Sequence, residues 1–107
     1  GGGGGPSENQ PPRIEDISLT LSSGQVTIRV KVTDVGSGVQ KVTAKVVYPN
    51  GTQAKYDLKQ EGNEDVWVTS FTAQQDAFQV WIIARDKAGN ETVSQWSQIQ
   101  TPPPPPF

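Results

Sequence analysis

Phe78-Gln-Val-Trp-Ile-Ile-Ala-Arg-Asp-Lys-Ala-Gly-Asn90 is the stretch that decides the fold of this chain. Phe78, Val80, Ile82 and Ala84 fall on one side of a period-two strand, and Gln79, Trp81, Ile83 and Arg85 fall on the other. The first set is the candidate core. Asp86 and Gly89 then occupy the first and fourth positions of a type I turn, with the glycine in the left-handed conformation that closes a hairpin loop as a bulge. An antiparallel strand has to follow from about Glu91. If Asp86 pairs with Asn90, directly opposed residues share a face, which sets Ile83 against Val93, Trp81 against Gln95 and Val80 against Trp96. That register places Trp96 inside with Trp67 and leaves Trp81 outside. Ile99 fits it only through a bulge near Ser97, whereas a loop one residue longer would reverse the faces of the last strand and bring Trp96 out.

Upstream the same alternation recurs. Ile14, Ile17, Leu19 and Leu21 form a first strand that changes phase near Glu15 and Asp16, as an edge strand with a bulge does. Ser22-Ser-Gly24 turns the chain, and Val26, Ile28, Val30 and Val32 then alternate with Thr27, Arg29, Lys31 and Thr33. Past the Asp34 to Gly38 loop, a third strand runs to Tyr48 with Val42, Ala44 and Val46 inward and Lys41, Thr43, Lys45 and Val47 outward. Pro49-Asn-Gly51 ends it, since asparagine and glycine tolerate positive φ. Ala54, Tyr56 and Leu58 mark a fourth strand, and residues 61 to 65 a polar turn. Val66 to Thr72 is a fifth, with Trp67, Thr69 and Phe71 inward so that both aromatics are buried. The Phe78 strand is the sixth, and the seventh ends at about Gln100. No segment carries helical periodicity, so the expected fold is all-β, a two-sheet antiparallel sandwich.

Composition narrows the chemistry. Nine basic and eleven acidic residues leave a formal charge of −2, which advertises neither nucleic acid nor an anionic membrane surface. No apolar run approaches the ~20 residues of a membrane span. Cysteine and histidine are both absent. Disulfides, thiolate and imidazole metal sites and every Ser-His or Cys-His nucleophile are thereby excluded. Five glycines open the chain and Pro102 to Pro106 close it. Residues 1 to 12 are expected to be a flexible linker, 13 to 100 the folded domain, and 101 to 107 an extended polyproline II linker. The proline run is also a candidate ligand for an aromatic-lined groove.

The turn sequences Asp34-Val-Gly-Ser-Gly-Val39, Tyr48-Pro-Asn-Gly51 and Ala84-Arg-Asp-Lys-Ala-Gly-Asn90 resemble those of the bacterial Ig-like domains, which are close in architecture to fibronectin type III. The resemblance covers about residues 11 to 100. It implies a seven-stranded antiparallel Ig-like β-sandwich with disordered or extended Gly-rich and Pro-rich ends. It also implies a secreted or cell-surface protein in which such a module is a spacer, adhesion or assembly unit beside neighbouring domains. Phe78 stands where related sandwiches often carry a corner tyrosine, so that tyrosine's hydrogen bond is not available from this position.

Three constellations follow. In an Ig-like topology the loops carrying Asp34, Glu61, Glu64, Asp65, Asp86 and Asn90 gather at one end, where their oxygens offer a Ca²⁺ site unless they simply bind their own turn amides. Trp81, Ile83, Val93 and Val47, rimmed by Lys45, Lys41 and Arg85, form an outward patch of the kind that docks another domain or stacks on a sugar ring of a polysaccharide. Alternatively, the basic side chains lie over the indole and cover it. Asn50-Gly-Thr52 and Asn90-Glu-Thr92 match the glycosylation acceptor pattern. No pair of acids is placed for general acid and base work, since each falls in a turn or on a wet face, so an enzyme is not expected.

Overall fold

The computed structural model describes residues 10–62, 64–75, 77–95, 99 and 100. Its strands are β1 (Arg13–Ser22), β2 (Gln25–Thr33), β3 (Val39–Val47), β4 (Gln53–Asp57), β5 (Lys59–Gln60), β6 (Val66–Thr72), β7 (Ala77–Asp86), β8 (Glu91–Gln95) and β9 (Ile99–Gln100). One sheet has the order β1-β2-β6-β5, the other β4-β3-β7-β8, and β9 also pairs with β7. Every pairing is antiparallel. Among the described residues the protein is all-β.

Local chemistry explains most of the turns. Ser23 and Gly24 take φ of 53° and 81°, the two positive values that a two-residue type I′ hairpin requires, and Ser22 stands opposite Gln25. The β1 register shifts between Ile14 and Asp16, the bulge its change of phase predicts. At the β7–β8 hairpin the Asp86 amide donates to the Asn90 carbonyl at 2.9 Å and Gly89 has φ of 95°. Trp81 opposes Gln95 and Ile83 opposes Val93, as expected. Continued unchanged, this register would bring residue 98 to Phe78. Ile99 stands there instead, so β9 is displaced by one residue relative to β8.

Two expectations need correction. Seven strands become eight, counting β8 and β9 as one interrupted strand, because the single fourth strand expected from Ala54, Tyr56 and Leu58 divides between the sheets. β4 pairs with β3. At the buried Leu58 the amide still donates to Val42 of that sheet at 2.8 Å, and one residue later Lys59 faces Val68 of β6. An unbroken alternation carries no mark of such a change of backbone partner. The second correction is Pro12, assigned to the linker but fully buried, with its carbonyl accepting the Thr92 hydroxyl. The folded body therefore starts before Arg13, where β1 and β8 meet across the gap between sheets. Residues 1 to 9 and 101 to 107, expected to be disordered or extended, and Trp96 lie outside the described residues.

The core is what the alternation calls for. Val26, Ile28, Val30 and Val32 of β2 pack against Val42, Ala44 and Val46 of β3 and Phe78, Val80, Ile82 and Ala84 of β7, all with at most 1% exposure. Aromatic contacts join the sheets. Phe71 of β6 stacks on Tyr56 of β4 at 4.2 Å and lies tilted against Phe78 of β7 at 6.3 Å. Burial pushes the Tyr56 hydroxyl pKa up, with a smaller contribution from Tyr48. Phe78 lacks a hydroxyl, but Tyr48 stands edge-on to it and accepts the Gln74 amide, anchoring the β6–β7 connection.

Candidate functional site

At one end of the sandwich the β2–β3 and β7–β8 loops are knitted together. Lys87 donates its amide to the Gly38 carbonyl at 2.9 Å, and Ala88 donates to the Ser37 hydroxyl at 3.0 Å. Asp65 is at the same end, its carbonyl accepting the Val32 amide. The carboxylates nevertheless serve their own surroundings. Asp34 Oδ2 accepts the Gly36 and Gly38 amides at 3.1 and 2.8 Å. Asp86 Oδ1 accepts the Ala88 and Asn90 amides, and its Oδ2 accepts the Asn90 side-chain amide at 3.0 Å. Glu61 is paired with Arg29. Among the described residues no three of the acids proposed as Ca²⁺ ligands come together: turn amides engage Asp34 and Asp86, and Arg29 engages Glu61.

Asp86 is the one buried charged residue among those described, at 1% exposure. Burial by itself would raise its pKa. The bonds from the Asn90 side chain and from the Asn90, Ala88 and Gly89 amides outweigh that and hold the carboxyl below its ordinary value. The same bond engages the Asn90 amide nitrogen, the atom that glycosylation would use. Asn50 instead lies exposed in its turn, with its side-chain oxygen accepting the Thr52 amide at 2.9 Å.

The six patch residues all lie on the outer face of the β4-β3-β7-β8 sheet. Alternation puts Trp81, Ile83 and Arg85 of β7 there, Lys45 and Val47 of β3, and Val93 of β8. Pairing then sets Lys45 directly beside Trp81 and Val93 beside Ile83, with Val47 beside Gln79. Trp81, Ile83, Lys45 and Val47 are half-buried, while Val93 is 56% exposed. No ring contact or ion pair involves Trp81 among the described residues.

β4 adds residues that the sequence reading left off this face. Lys55 opposes Lys45, and Asp57 opposes Thr43, so the rows read Lys55-Lys45-Trp81 and Asp57-Thr43-Ile83-Val93. The signal was present in the Pro49-Asn-Gly-Thr52 turn. Counting outward from the pair Val47 and Gln53 across it leads to Lys45 and Lys55. Beside these rows a shallow hollow of about 230 Å³ is lined by Lys41, Thr43, Lys55, Asp57, Ile83, Arg85 and Glu91.

The class defined by this architecture is the two-sheet antiparallel β-sandwich. No protein-family model matches the sequence, and no curated protein matches it significantly. Solved structures match in shape. A DUF3823 family protein from Bacteroides ovatus ATCC 8483 is similar over 83% of this chain, with a TM-score of 0.64 and 10% identity. The chain spans about half of that protein, 54% of its length. A carbohydrate-binding module, BhCBM56, is similar over 79% of this chain and 89% of its own, with a TM-score of 0.59 and 12% identity. At these identities the likeness shows a shared fold alone. Among the described residues no helix is long and apolar enough to cross a membrane.

Proposed function

We propose that the chain is a non-catalytic Ig-like module of a secreted or cell-surface protein, which spaces or attaches neighbouring domains or other surface proteins. Strand order supports the Ig-like reading, with the first, second and sixth strands in one sheet and the third, seventh and eighth in the other. The observation that carries the non-catalytic reading is Asp86. Among the described residues it is the buried charged side chain, and its oxygens accept hairpin amides and the Asn90 side chain, which lower its pKa, the opposite sense from the raised pKa that general acid catalysis uses.

A second reading, a carbohydrate-binding accessory module, is favoured by the outward Trp81 with Ile83 and the exposed Val93 beside it. The likeness to a carbohydrate-binding module is compatible with it. A titration of the intact chain with soluble polysaccharides, followed by tryptophan fluorescence, separates the two. A spacer gives no saturable change, and a sugar-binding face gives one that Trp81→Ala abolishes. Release of reducing ends in the same mixtures would sink the non-catalytic reading.

A further inference from the structure

Charges on the Trp81 face are unevenly matched. Lys41 forms an ion pair with Asp57 at 3.7 Å, and Arg85 stands directly opposite Glu91. Lys45 and Lys55 face each other across β3 and β4, and neither has an ion-pair partner among the described residues. Like charges directly opposed on neighbouring strands are destabilising. This pair is therefore a local excess of positive charge on a chain whose net charge is −2, and it lies in one row with Trp81.

We infer that this row binds an anionic polysaccharide built of uronic acids, with a pyranose ring on the Trp81 indole and carboxylates on Lys45 and Lys55. The inference rests on the sugar-binding reading and names its substrate class. Strand spacing sets the three side chains about 4.8 Å apart, so the row spans about 10 Å from Trp81 to Lys55, room for consecutive sugar units. A uronic acid carries its charge at the ring edge. Its CH face is left free to lie on the indole while the carboxylate reaches the lysine of the next strand. Lys55 is exposed and Lys45 half-buried, so the outer ammonium meets the polymer without prior rearrangement. A ligand carboxylate between them removes the repulsion that the free protein retains.

Isothermal titration of the intact chain with polygalacturonate tests this, with laminarin as a neutral glucan, dextran sulfate and poly-glutamate in parallel. The expected result is saturable binding of polygalacturonate that weakens as salt is raised, tighter than for any of the other three. Lys45→Gln/Lys55→Gln should lower that affinity roughly tenfold, the combined effect of two solvent-exposed pairs, while its melting temperature is at least that of the parent. If laminarin binds as tightly as polygalacturonate, the sugar-binding reading stands and the uronic-acid inference fails. Should no polysaccharide bind, both fail. Equal or tighter binding of poly-glutamate or dextran sulfate, or an undiminished affinity in the double variant, overturns the inference as well.

Discussion

The hydroxyl oxygen of Tyr48 accepts the backbone amide of Gln74 at 3.1 Å, while its ring stands edge-on to Phe78 with centroids 5.7 Å apart. The end of β3 is thus tied to the connection that leads into β7. Tyr48→Phe keeps the ring contact and removes only the acceptor. It should lower unfolding free energy by about 1 kcal/mol in urea denaturation, the net worth of one such bond. An unchanged midpoint would mean that water replaces the phenol at Gln74.

Asp86 makes the hairpin sensitive to acid. Its folded pKa lies below the ordinary value of 3.8, so the stabilisation it provides is fully present above that value and is lost as pH falls through the folded pKa. The melting temperature should therefore fall at the acid end, and Asp86→Ala should lower it at neutral pH and flatten that acid dependence. A variant with the parent's acid profile would show that another carboxylate is responsible. Because turn amides hold Asp86 and Asp34 Oδ2, and no three acids converge among the described residues, Ca²⁺ or a chelator should leave the melting curve unchanged.

Pro12 marks where the folded body begins. A chain starting at residue 11 should match the parent in stability. One starting at residue 14 exposes the neighbours of a buried proline and frees the Thr92 hydroxyl, and should lose about 1–2 kcal/mol. Equal stability of the two chains, measured by denaturant unfolding, would return Pro12 to the linker.

Two tryptophans are separated by the sheet they line. Trp67 is 9% exposed in the core and Trp81 is half-buried on an outer face. Trp67→Ala should cost about 3–5 kcal/mol, whereas Trp81→Ala should cost less than half of that and leave the domain folded. Unfolding by Trp81→Ala with a harmless Trp67→Ala would exchange the inner and outer faces of both sheets.

What the sequence by itself determined is local. Phe78 to Asn90 specify a strand, a turn and a register, because side-chain period and turn conformation are set by neighbouring residues, and the opposed pair Ile83 and Val93 follows by counting. The β1 bulge and the inward aromatics of β6 were legible for the same reason. The tertiary structure decided what depends on distant backbone partners. The passage of the chain from β3 to β6 around Leu58 changes the hydrogen-bonding neighbour without disturbing alternation. The burial of Pro12 depends on two sheet edges meeting, and the Tyr48 link depends on where the β6–β7 connection passes. On the outer face, alternation put Trp81 and Lys45 outward, but only strand pairing laid Lys55, Lys45 and Trp81 in one row, since a face is a property of each strand and a neighbour is a property of the sheet.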